Sequence, residues 1–173
     1  MSLPNPSSSR LPVPARAPRL AHLGIAVAAY PEALRFWRDL LGLPLEHEEH
    51  VPGDGVSVAM LRLGDVRLGE AGPGEMRPGE ERQGEGTPVI ELLRPDAGDN
   101  PVARFLAKRG PGLHHVALRV DDLPGLHARL VAAGVRLIDA EPRPGAHGTT
   151  VCFVHPAATG GVLVELVAAR AGS

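Results

Sequence analysis

Two short segments of this chain are near-copies of each other: His22-Leu-Gly-Ile-Ala-Val27 and His115-Val-Ala-Leu-Arg-Val120. Each opens with a histidine, runs through small and β-branched residues, and is followed by a helix-like stretch. A second pair echoes in the same way: Val89-Ile-Glu91-Leu-Leu93 and Leu163-Val-Glu165-Leu-Val167, each with one carboxylate inside an apolar run. The spacing supports an internal duplication. His22 and His115 lie 93 residues apart, as do Val27 and Val120, while Glu91 and Glu165 lie only 74 apart. The first half therefore carries extra residues between its histidine and its glutamate. Segment 69–87, with six glycines and five glutamates, accounts for them as an insertion. With it removed, each half reads strand, helix, then three strands.

The order of elements follows from local signals. Residues 1–19 are rich in Pro, Ser and Arg without an apolar period, and read as a disordered leader; a solvated tail or a mis-assigned start ranks above a targeting role. A strand runs from Leu20 to Val27. Pro31 and Glu32 open a helix whose apolar face is Leu34, Trp37, Leu40 and Leu41, ending at Gly42. Pro44 to His50 and Val56 to Leu63 alternate as strands around the turn Pro52-Gly-Asp-Gly55. Val89 to Leu93 is a strand, and Asp99 or Asn100 caps a helix from Pro101 to Arg109. In the second half, Leu113 to Val120 is a strand and Asp121 or Asp122 caps a helix from Leu123 to Ala133. Val135 to Asp139, Thr150 to His155 and Val162 to Val167 follow as strands, with a loop from Glu141 to Gly148. The expected fold class is α+β: tandem βαβββ modules (20–95 and 113–168) linked by a helix over 100–110, forming one catalytic domain over 20–168 around a curved mixed sheet.

A carboxylate flanked by Val-Ile and Leu-Leu is desolvated, and it must be neutral, paired or metal-bound. Two such glutamates at equivalent repeat positions, each matched with a histidine at a strand start, point to one shared site on a pseudo-twofold axis. His22, Glu91, His115 and Glu165 are the candidate ligands. Two imidazole nitrogens and two carboxylate oxygens leave a six-coordinate divalent ion with open positions, which makes such a site catalytic rather than structural. Mixed N and O donors suit Co, Mn, Ni, Fe or Zn. His114 is the direct rival of His115, because strand neighbours face opposite ways, and the repeat register favours His115. His47, His50 and His127 have no repeat partner and read as surface residues, while His147 and His155 sit at loop or strand ends.

Other classes find little support. Net charge is −2, which offers nothing to nucleic acid or an anionic membrane surface. Cys152 is the single cysteine, so no intramolecular disulfide forms, and a reducing, cytoplasmic setting is expected. No apolar run approaches a membrane span.

At this point the residues resemble a known family. The paired strand-helix-strands layout resembles the vicinal oxygen chelate superfamily, which includes glyoxalase I, extradiol dioxygenases and bleomycin-resistance proteins. Within it the chain is most similar to the methylmalonyl-CoA epimerases. The matching stretches are the His22 strand, His47-Glu-Glu-His-Val51, Asn100-Pro-Val-Ala-Arg-Phe-Leu106, Gly112-Leu-His-His-Val-Ala117, Glu141-Pro-Arg-Pro-Gly-Ala-His-Gly148, His155-Pro and Thr159-Gly-Gly-Val-Leu-Val-Glu165. The resemblance implies a divalent metal, cobalt first, with Mn2+, Ni2+ or Zn2+ as alternatives, held at the positions of His22, Glu91, His115 and Glu165. Some family members carry Gln where this chain has Glu91. It implies interconversion of the R and S epimers at C2 of methylmalonyl-CoA through proton abstraction and an enolate. A homodimer is implied as well.

There is one departure. Some family members place a base glutamate at the position that the Gly55-Val-Ser-Val-Ala-Met60 register assigns to Val58. The acid/base pair expected here is therefore Glu165, with Glu91 serving the other face of the substrate; Glu48 and Glu49 rank below them. Lys108, Arg109 and Arg143 are the charge-based candidates for CoA contacts, and each reads equally as a solvated cation. The rival functions are a lactoylglutathione lyase or extradiol dioxygenase of the same superfamily, a drug-sequestering binding protein, and an epimerase for ethylmalonyl-CoA.

Overall fold

The computed structural model describes residues 16–63, 87–96 and 98–169. Most of the expected leader, and all of the expected insertion but Thr87, lie outside these residues. The elements in chain order are β1 (Arg19–Ala26), α1 (Tyr30–Leu34, continuing as a π-helical segment over Arg35–Leu40), β2 (Leu45–Val51), β3 (Val56–Arg62), β4 (Val89–Pro95) and α2 (Pro101–Arg109). The second half holds β5 (Gly112–Arg119), α3 (Leu123–Ala132), β6 (Arg143–Pro144), β7 (Thr149–Val154) and β8 (Val164–Ala169).

The eight strands of the described residues join one mixed sheet in the order β2-β3-β4-β1-β5-β8-β7-β6. β1 and β5 run antiparallel at its centre; β1 is parallel to β4, and β5 to β8. Reading outward from the centre, each half thus repeats the same course. The β1/β5 register makes the symmetry explicit: His22 lies opposite Ala117, Gly24 opposite His115, and Leu23 opposite Val116 between them.

Strand alternation sorts side chains onto two faces. On one face α1 covers Ala59, Leu61, Ile90 and Leu92 through Leu34, and α3 covers Cys152, Val154, Leu166 and Ala168 through Leu123. These two clusters are the apolar core of that face. On the other face α2 packs Val102, Phe105 and Leu106 onto Ala26, Val56, Val58 and Leu93. It covers only one end, so the rest of that face is open.

α2 forms where its signals place it. Asn100 Oδ1 accepts from Ala103 N at 2.9 Å, Pro101 occupies the first turn, and Lys108 and Arg109 occupy the last. The buried Asn100 amide also donates to Gly55 O at 2.9 Å, tying the β2–β3 turn to the helix. Asp122 caps α3 by accepting from Gly125 N at 2.8 Å.

Three expectations need correction. Helical spacing puts Leu40 and Leu41 on the buried face of the first helix, but they are 68% and 53% exposed. From Arg35 onward that helix widens, with Leu41 N bonding Phe36 O at 2.9 Å, so each residue turns the face less and the later leucines rotate off the core. Val135 to Asp139 is not a strand and makes only an isolated bridge, Leu137 to Val154. Ile138 N still donates to Phe153 O at 2.8 Å, but the return bond, from Phe153 N at 2.7 Å, goes to the Asp139 carboxylate and not to a backbone carbonyl, which ends the ladder. The paired segment is instead β6, two residues inside the expected loop, and β8 begins two residues later than expected.

Among the described residues no helix is long and apolar enough to cross a membrane. Arg62 pairs with Val89, and Leu63 N donates to Pro88 O at 3.1 Å, so β3 and β4 meet as antiparallel neighbours at the point where the Gly/Glu-rich segment intervenes. Deleting residues 70–86 leaves enough chain to close this hairpin. The deletion is expected to shift the thermal midpoint by no more than a few degrees and to leave metal affinity unchanged; calorimetry and metal titration check both.

Candidate metal centre

The β1/β5 register brings the two histidines together. His22 and His115 lie on the same face, one residue either side of the Leu23/Val116 pair, and their Nε2 atoms are 2.9 Å apart. The flanking strands add the carboxylates. Glu91 on β4 sits in a row with Gly24 and His115, and Glu165 on β8 sits in a row with Ala117 and His22. Glu165 Oε2 is 2.9 Å from His22 Nε2 and 3.1 Å from His115 Nε2; Glu91 Oε2 is 3.4 Å from each. All four residues predicted as ligands therefore converge on one point.

Small residues make this convergence possible. A Cβ at Gly24 would lie 2.2 Å from His115 Cε1 and 2.4 Å from its Nδ1. The imidazole leans across β1 into space that only glycine leaves free. The equivalent position in the other half is Ala117, fully buried beside His22.

Burial sets the electrostatics. Glu91, His115 and Glu165 are buried, and His22 is nearly so. Burial pushes Glu91 above the usual carboxylate range. Burial acts on Glu165 in the same direction, but hydrogen bonds from His115 and His22 outweigh it and hold the group down at about 2. Burial lowers His22, yet its bond to Glu165 and the charges of Glu91 and Glu165 leave it raised. Two environments thus drive two equivalent carboxylates apart.

The donor set fits a divalent cation. His22, Glu91 and His115 each offer a ligand atom within 4.8 Å of the others, and Glu165 joins them at bonding distance. One ion roughly 2.1 Å from every donor would hold adjacent donors about 3.0–3.4 Å apart, which is the spacing found. Two carboxylates and two imidazoles meet at one buried point where, among the described residues, no lysine or arginine pairs with them, and a shared cation would take the place of the protons that otherwise hold them together.

The site opens into a cleft of about 290 Å3 whose walls include Met60, Arg62, Arg119 and Val167. A second, mostly apolar cavity of about 150 Å3 lies behind His115, lined by Val56, Leu93, His114 and Phe153 among others.

The remaining histidines and cations divide as follows. His114 does not face away from the site: its Nδ1 is 3.0 Å from His115 Nδ1. Burial and then the His115 charge lower it to about 4. His47, read as surface, is half exposed but lines this cleft, while His50 is exposed and pairs with Asp96 at 2.9 Å. His127 is half-buried rather than on the surface. His155 Nδ1 accepts from Ala157 N at 3.0 Å, a capping role, and the side chain of His147 lies outside the described residues. Lys108 and Arg109 are exposed on α2 and do not line the cleft. Arg143 is engaged by Asp54 at 3.0 Å and Asp139 at 3.1 Å and lies over the Phe153 ring. The cations that do line the cleft are Arg119 and Arg62, the latter bonded to Glu46 at 2.8 Å. Sequence reasoning missed both; strand parity was the usable signal, since Arg62 shares a face with Met60, and Arg119 with His115. Val58 is buried beneath α2, with no opening to the cleft. Glu48 lies opposite Ala59, which packs under α1, so it faces away from the site.

Comparison with known proteins bears on this geometry. The family profile of the Glyoxalase/Bleomycin resistance protein/Dioxygenase superfamily matches residues 21–153. The chain belongs to this superfamily. It is similar to human mitochondrial methylmalonyl-CoA epimerase, 34% identical across 86% of this chain and 72% of that one. An ethylmalonyl-CoA/methylmalonyl-CoA epimerase of Cereibacter sphaeroides is 33% identical, over 86% of this chain and 96% of its own length. Among solved structures, Streptomyces coelicolor methylmalonyl-CoA epimerase in complex with 2-nitronate-propionyl-CoA matches with TM-score 0.73 and 33% identity, covering 88% of this chain and 98% of that one. The curled mixed sheet is the glyoxalase fold, and the chain falls in the epimerase branch of the superfamily.

Gly24→Ala tests the packing beneath the site. The added methyl must displace the His115 ring, so metal affinity is expected to fall at least tenfold, with a stability loss of about 1–3 kcal/mol. Metal titration and urea unfolding read the two effects separately.

Proposed function

We propose that this chain interconverts the epimers of methylmalonyl-CoA at C2, with a divalent ion held by His22, Glu91, His115 and Glu165. The observation that carries the reading is the buried cluster of two imidazoles and two carboxylates at the floor of an open cleft, with the carboxylates entering from opposite sides. The named relatives supply the substrate class. Cobalt is the metal this reading favours, with Mn2+, Ni2+ or Zn2+ as alternatives.

A divalent ion in this position supplies Lewis-acid polarisation of the substrate's acyl oxygen, which acidifies the C2 proton. The chain supplies the rest. His22 and His115 present neutral Nε2 lone pairs. β4 and β8 flank the β1/β5 pair, so Glu91 and Glu165 reach the centre from strands about 14 Å apart, three strand spacings. Their carboxylates can therefore address opposite faces of a planar carbon. On this reading Glu165 takes the proton from one face through its second carboxylate oxygen, and Glu91 returns one to the other in the same way. The reverse reaction exchanges the roles. Arg119 and Arg62 offer positive charge along the way in for an anionic acyl-CoA.

Incubation with methylmalonyl-CoA in 2H2O tests the reaction class: deuterium should enter C2, and absence of exchange would overturn the proposal. Two variants test the assignment. Glu165→Ala is expected to lose both metal and turnover, and full activity in it would end the site assignment. Glu91→Gln keeps an oxygen ligand but carries no proton, and Val58 offers no substitute. It should bind metal and exchange C2 deuterium into one epimer without interconverting the two. Comparing kcat/KM for methylmalonyl-CoA and ethylmalonyl-CoA separates the two substrates borne by the relatives' names.

A further inference from the structure

The β1/β5 ladder slips by one residue at two places. Leu20 lies opposite Leu118 and His22 opposite Ala117, so Ala21 is an extra residue on β1. Gly24 lies opposite His115 and Ile25 opposite Leu113, so His114 is an extra residue on β5. Ala21 and His114 are 93 residues apart, the spacing of the two ligand histidines. The duplication has kept a β-bulge immediately before each of them.

A bulge abolishes simple alternation, because two successive residues share one partner and both can lean to the same side. In the second half this turns the His114 ring toward that of His115, Nδ1 to Nδ1, at 3.0 Å. The His114 ring is itself fixed edge-on against Phe105 of α2, with centroids 5.0 Å apart and planes at 77°. In the first half the same position is Ala21, which offers no polar atom. The two ligand histidines are equivalent by symmetry but not by support.

We infer that His114 is a positioning residue: its Nδ1 accepts the Nδ1–H of His115, fixing the ring orientation and the tautomer in which the His115 Nε2 lone pair faces the ion. A neutral imidazole carries one N–H, so a proton held on Nδ1 leaves Nε2 free to ligate. Hydrogen bonds to the far nitrogen of ligand histidines commonly change metal affinity by about 10–100-fold. The inference rests on the four-ligand reading above.

Three variants test it, with Co2+ as the probe. His114→Phe keeps a ring against Phe105 but has no acceptor, His114→Ala removes both, and His114→Asn restores an acceptor oxygen near the place of Nδ1. Circular dichroism selects folded material. The Co2+ dissociation constant and the visible absorption of bound Co2+ are the readouts, since a purely structural role would leave the spectrum of the bound ion unchanged. The Phe and Ala variants are expected to bind Co2+ about 10–100-fold more weakly with an altered absorption envelope, and Asn to recover most of both. Unchanged affinity and spectrum in Phe and Ala, or an Asn variant that behaves like Ala, would overturn the role of His114 while leaving the metal site standing. A wild-type chain that binds no Co2+ would instead overturn the four-ligand reading, and this inference with it.

Discussion

The antiparallel pairing of β1 and β5 is the constraint on which everything else depends. With Leu23 opposite Val116, residues 22 and 115 fall one step either side of the crossing point and on the same face. Only then do two histidines 93 residues apart bring their Nε2 atoms within 2.9 Å. A slip of two residues would keep every side chain on its proper face and preserve most backbone hydrogen bonds, yet carry the imidazoles apart by about two strand rises, roughly 6–7 Å. The bulges at Ala21 and His114 oppose such a slip, because each must stay beside the residue it faces. The outer strands inherit their places from this pair, and the carboxylates with them.

The site gains little from the packing that stabilises the fold. α1 and α3 bury their apolar clusters on the opposite face of the sheet, and α2 seals only one end of the face that holds the cluster. What remains is a patch where three ionisable groups are buried and a fourth is nearly so. Such a patch is a cost to folding unless a cation neutralises it. A duplicated fold could lose it cheaply by replacing the glutamates with leucine. Its presence in both halves, at matched positions, is a physical argument for function rather than for stability.

Much of this architecture was legible in the chain, for reasons that can be named. The 93-residue period, the short apolar strands with a carboxylate at the centre, and the Asn100-Pro101 start of α2 are all local signals, and the observed strand order carries the two-fold relation that the period implies. The misreadings have other causes: each turns on a hydrogen bond, an ion pair or a bulge that composition and periodicity do not announce. Leu40 and Leu41 left the core because the helix widened. Val135 to Asp139 lost its strand because the Asp139 carboxylate took the place of a backbone carbonyl in bonding Phe153 N. Arg143 looked like a free cation and is instead held by Asp54 of the other half. Strand alternation set His114 against His115 as alternatives, and a one-residue bulge made them neighbours.

The departure at Val58 takes on meaning from its surroundings. That residue is buried with Ala26, Val56 and Leu93 under Val102 of α2, so the wall beside it is closed and apolar. A carboxylate there would be desolvated against α2 with no polar partner among those residues, at a cost of several kcal/mol per unpaired charge. Met60, two residues on and opposite Glu91, does reach the cleft. With that wall apolar, the acidic groups that reach the two histidines, among the described residues, are Glu91 and Glu165. Symmetry suits the proposed chemistry: an epimerase has to treat the two faces of one carbon alike, and a centre built twice from the same half would present a carboxylate to each.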